Sequence, residues 1–110
     1  MPIDNMVYDS VEDAYNKIQE FFDNHQFGPE HSAMILKHEE LADILDRLDI
    51  QAIEEQSNNL NELHKKFKGI KDASDKVVED LNDVIDYIAT SAKVVSGLDK
   101  ILSKITDILV

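Results

Sequence analysis

The sequence predicts an all-α protein, and three observations predict it. Hydrophobic residues make up 43% of the 110 positions, enough apolar material for a core without disulfides. Three Gly and two Pro leave few places where a helix must stop. Apolar residues recur at spacings of three and four along most of the chain, and no alternating strand pattern competes. The expected architecture is a short N-terminal helix plus a long antiparallel helical hairpin, coiled-coil-like. Its helices cover about residues 10–24, 30–68 and 72–109 of a single helical domain spanning 1–110.

The first helix starts at Asp9-Ser10-Val11-Glu12-Asp13, where Ser10 can cap free backbone N–H groups and the acids suit the positive helix end. Val11, Ala14, Tyr15, Ile18, Phe21 and Phe22 then gather on one face, and Glu12, Lys17, Glu20 and Asp23 on the other. Gly28-Pro29 ends it, because Gly tolerates left-handed backbone angles and Pro biases its predecessor away from helix.

The second helix carries the register Met34, His38, Leu41, Leu45, Leu48, Ala52, Gln56, Leu60, Leu63, Phe67, Ile70. Three successive steps of four between Leu48 and Leu60, together with the polar run Glu54 to Asn59, read as a stutter within a continuous helix or as a loop. Continuity is the expectation, since no Gly or Pro interrupts the run. The hairpin turn is expected at Gly69, which can serve as a C-cap behind Lys65, Lys66 and Lys68.

The third helix has the clearest register: Val77, Leu81, Val84, Ile88, Ser91, Val95, Leu98, Leu102, Ile105, Leu109, alternating four and three with Ser91 its one polar member. The unbroken phase across Gly97 favours one helix over two, despite the cost of about 1 kcal/mol for a helical Gly. These ten residues form the candidate interaction face. Val78, Ile85 and Ala92 on one flank and Tyr87, Val94, Ile101 and Ile108 on the other make the stripe wider than a two-stranded seam needs. Such a helix contacts more than one neighbour, which predicts a bundle completed by self-association as a homo-oligomer. The alternative is a monomeric four-helix bundle broken near Glu54 to Asn59.

Charge narrows the partners. With 23 acids against 11 bases the formal charge is -12, which opposes nucleic-acid binding. Residues 1–64 hold 15 acids and three bases, whereas 65–76 hold five bases and two acids. No run approaches the roughly 18 apolar residues of a membrane span, and the N-terminus has no basic region followed by an apolar one, so a soluble chain without a cleaved signal is expected. The amphipathic segment Leu98 to Val110 could lie on a membrane surface, but packing of its apolar side within the bundle is favoured.

Chemistry-bearing patterns are sparse. Without cysteine there are no disulfides or thiolate metal sites. None of His25, His31, His38 or His64 has a Glu three residues before it, so the Glu-x-x-His unit of di-iron bundles is missing. His38 falls on the apolar register and is expected as a partly buried, hydrogen-bonded residue at a packing seam. Asp43, Asp46 and Asp49, like Asp80, Asp83 and Asp86, read as solvated helix faces. No phosphate loop or nucleophile elbow occurs, and no catalytic, cofactor-binding or metal residue is assigned.

The expected function is therefore noncatalytic: a cytoplasmic protein–protein interaction module of adaptor, chaperone or assembly type. The outline of a small, cysteine-free, acidic helical hairpin resembles the helical export partners and chaperones of bacterial secretion systems, although the Trp-x-Gly turn of one such family is missing and the chain has no Trp. Two other classes compete. An antitoxin-like immunity protein would cover a basic toxin with its acidic surface, and a membrane-active protein would use Leu98 to Val110.

Overall fold

The computed structural model describes residues 2–24 and 32–109, with side chains from Val7 onward. It is an all-α bundle whose helices are α1 (Pro2–Asn24), α2 (Ser32–Arg47), α3 (Ile50–Gln56), α4 (Leu60–Asn82) and α5 (Tyr87–Leu109). The expected break at Gly28-Pro29 lies outside the described residues.

α4 packs along both α1 and α5, and α5 packs also along α2. The contact between α1 and α2 is slighter. Lys37 pairs with Asp99, while Arg47 and Leu109 border one cleft, so α2 and α5 run parallel. Lys66 pairs with Asp107 at 3.1 Å across the antiparallel α4–α5 hairpin. The short α3 carries the chain across the end of the bundle from α2 to the far corner where α4 begins, touching α1 on the way.

The core draws on every helix: Val7, Val11, Ala14 and Ile18 from α1, Met34, Leu41 and Ile44 from α2, and Leu63, Phe67, Ile70 and Val77 from α4, with Val94, Leu98, Ile101 and Ile105 from α5. Leu48 and Ile50 close it at the α2–α3 corner. α1 delivers the expected face, including buried Phe21 and Phe22. It begins at Pro2, so Ser10 is a buried residue within the helix and not its cap.

The long hairpin is placed differently from the expectation. The helix expected over 30–68 is three helices, interrupted at 48–49 and 57–59, and the turn expected at Gly69 is instead the interior of α4. The helix expected over 72–109 is interrupted at residues 83–86. Short polar side chains set these breaks. Asp49 Oδ1 accepts the Ala52 N–H at 3.1 Å, and Asn59 Oδ1 accepts the Glu62 N–H at 3.1 Å. Asp86 Oδ1 accepts from Ile88 at 3.0 Å and Ala89 at 3.1 Å, capping α5. Asp49 and Asp86, read from sequence as parts of solvated faces, are thus helix starts. α5 does continue through Gly97. The broken, four-helix arrangement fits these bounds better than the long hairpin does.

Candidate functional site

A groove runs between α1 and α2. Tyr15 and Phe22, two turns apart on α1, face Ile35 and His38 of α2 along its floor. Exposed carboxylates of Asp23, Glu39 and Asp43 line the same groove at its rim. His38 is only 6% exposed. Its ring stacks on Tyr15 with centroids 4.1 Å apart and planes within 9°, and meets Phe22 edge-on at 5.1 Å.

The protonation of His38 follows from its partners. Nε2 lies 3.1 Å from the Tyr15 carbonyl oxygen, which can only accept, so Nε2 carries the hydrogen and donates. Burial pushes the pKa of His38 below its ordinary value, more strongly than the bond to Tyr15 and the charge of Glu39 raise it. The ring is neutral near pH 7, and Nδ1 is a bare acceptor with no donor among the described residues. The hydrogen bond at a packing seam is as expected, and the residue is more deeply buried than the partial burial expected of it.

The groove sits in an acidic face. Asp9, Glu12, Asp13, Glu20 and Asp23 on α1 and Glu39, Glu40, Asp43 and Asp46 on α2 are all exposed. The cations described on these helices are Lys17, Lys37 and Arg47. Lys17 reaches Glu20 only at 3.9 Å, and Lys37 turns away to Asp99 on α5. Neither Glu39 nor Asp43 has an ion pair among the described residues. α4 differs: Lys68–Asp72 at 2.8 Å, Lys71–Asp75 at 2.7 Å and Lys76–Asp80 at 2.7 Å neutralise its surface locally.

The expected interaction face divides three ways. Val77, Ser91, Leu98, Leu102 and Ile105 are buried in the chain's own core, whereas Leu81, Val84, Val95 and Leu109 are half-buried. Ile88 is 64% exposed. The core face of α5 is rotated toward the Tyr87 flank, because Thr90, Val94 and Ile101 are buried while Ala92 faces solvent; Ile85, in the interruption before α5, is exposed as well. The width of the stripe is met within one chain by α4 on one side and α2 on the other. The apolar side of the segment from Leu98 onward packs inside the bundle in the same way, with Leu98, Ile101, Leu102 and Ile105 all buried.

His64 pairs with Glu54 at 2.8 Å, whereas His25 and His31 lie outside the described residues. Among the described residues no group of three His, Asp or Glu could hold a metal ion, and no helix is long and apolar enough to cross a membrane. The groove itself is not marked in the sequence, where Tyr15 and Phe22 read as core and Asp43 as a solvated face. The available signal was two aromatics seven residues apart on α1 with His38 on the next helix. No family model, curated protein or solved structure matches the chain.

Proposed function

We propose that this protein is a noncatalytic protein–protein interaction module of the adaptor, chaperone or assembly kind, and that it engages a basic partner with the α1–α2 face. One observation carries the reading: nine exposed carboxylates on two adjacent helices, with the nearby lysines paired weakly or turned elsewhere. A surface of one sign steers an oppositely charged partner and sets its orientation, while contributing more to association rate and specificity than to raw affinity. Such a partner finds apolar and aromatic contacts in the groove that the acids surround. A cytoplasmic place fits the cysteine-free composition.

An antitoxin-like immunity protein would use the same face, with a basic toxin as the partner. The membrane-active reading is less favoured, since the apolar side of the segment from Leu98 to Leu109 is largely engaged in the core. Affinity capture from an extract of the source cells tests the proposal, comparing the wild type with a Glu39→Lys, Asp43→Lys, Asp46→Lys variant at low and high salt. A basic protein retained by the wild type and lost with the variant or in high salt supports it. Capture indifferent to both changes ends it. Neutralisation of a toxic activity by the captured pair selects the immunity class.

A further inference from the structure

We propose that the α1–α2 groove seats an arginine side chain of the partner protein, its guanidinium donating to His38 Nδ1 and to the carboxylates of Glu39 and Asp43. The inference rests on the reading that a basic protein binds this face, and it names the group that enters. A ring nitrogen without a donor, on a residue only 6% exposed, is costly to leave unpaired, and the groove that His38 lines gives a donor space to arrive. That groove is an open hollow of about 560 Å³, with room for a guanidinium at its floor.

The chemistry selects the donor. Nδ1 and two carboxylates are all acceptors, so the occupant must carry several N–H groups and positive charge. Guanidinium offers five donors in a rigid plane and packs on aromatic rings, of which Tyr15 and Phe22 line the groove, whereas ammonium is a compact and strongly hydrated point charge. A metal ion is disfavoured by the lack of a three-ligand group among the described residues. Water could donate to Nδ1 but would leave Glu39 and Asp43 without a counter-charge.

The test uses the isotope-labelled full chain and nuclear magnetic resonance at near-neutral pH. The probes are N-acetyl-arginine N-methylamide and its lysine and citrulline counterparts. Saturable shifts confined to groove residues such as Gln19, Phe22, His38 and Ala42 are expected with the arginine compound, roughly five-fold weaker binding with lysine, and none with uncharged citrulline. The double variant Glu39→Gln, Asp43→Asn changes only exposed side chains and should weaken binding about ten-fold. His38→Phe keeps a flat ring and removes the acceptor; its weakening is a second support if the variant folds.

Shifts scattered over the acidic surface, equal binding of citrulline or lysine, or an unaffected double variant would overturn the proposal. The two readings can fail separately. Charge-dependent capture of a protein, with no arginine response in the groove, sinks the arginine seat alone. A groove that binds arginine, with capture indifferent to charge, sinks the basic-partner reading.

Discussion

Gly97 of α5 lies so close to Val77 of α4 that a Cβ on residue 97 would fall 2.4 Å from Val77 Cγ2. Gly69, the other glycine within a described helix, meets only the flexible end of Lys104, whose Nζ would lie 3.4 Å from its Cβ. Neither glycine has a positive φ, so space alone separates them. Gly97→Ala forces apart two helices at a β-branched contact, costing about 1–3 kcal/mol against a helix-propensity gain of at most about 1 kcal/mol. Gly69→Ala keeps the gain and should stabilise. Thermal melts should therefore move in opposite directions, and a Gly97→Ala protein that melts higher than the wild type would contradict the close approach.

Ser91 is 4% exposed, and its hydroxyl donates to the Tyr87 carbonyl at 2.9 Å. Ser91→Ala removes both the hydroxyl and its only need for a partner, so its effect should be neutral or slightly stabilising. Ser91→Asp places a carboxylate on the core face of α5, one turn from buried Val94, and should cost roughly 3 kcal/mol or more. An unchanged unfolding midpoint for Ser91→Asp would mean that residue 91 faces water.

Asp86 caps α5 through two N–H groups, whereas Asp83 accepts no side-chain hydrogen bond among the described residues. Asp86→Ala should cost about 1 kcal/mol and Asp83→Ala less than about 0.5 kcal/mol. Equal denaturant midpoints for the two variants would remove Asp86 as the start of the helix.

These breaks show what the sequence made legible. Helix class and the α1 face could be read because each apolar spacing reports local geometry. The register Leu63, Phe67, Ile70, Ser74, Val77 steps four, three, four, three straight through Gly69. Its polar member Ser74 is fully buried and returns its hydroxyl to the Ile70 carbonyl at 2.9 Å, which masks the continuity. A glycine's turn signal was therefore weaker than the packing of Phe67 and Ile70 on either side of it. The true breaks are marked by the helix starts at Asp49, Asn59 and Asp86, whose capping role looks in sequence like one more solvated acid or amide. The groove was less legible still, because the stacking of His38 on Tyr15 joins residues 23 positions apart. Helical periodicity places each on an inward face without fixing which turns of α1 and α2 meet.

His38 links stability to the proposed site through pH. Burial holds its folded pKa below the ordinary value, so as pH falls the unfolded chain takes up the proton first. The stabilisation from keeping the ring neutral is full above the unfolded pKa of about 6.5, is lost as pH falls below it, and stops declining once the folded form also protonates. Urea midpoints of the wild type should therefore drop, as pH falls below about 6.5, more steeply than those of His38→Phe. The comparison cancels the other three histidines, which titrate in both proteins. Protonation of the folded form also converts Nδ1 from an acceptor to a donor, so arginine binding in the groove should weaken only at the lower pH where that decline stops. If the wild type is instead stabilised on acidification relative to His38→Phe, the folded state favours the imidazolium. Nδ1 would then already hold a proton, and the groove would have no acceptor there to offer a guanidinium.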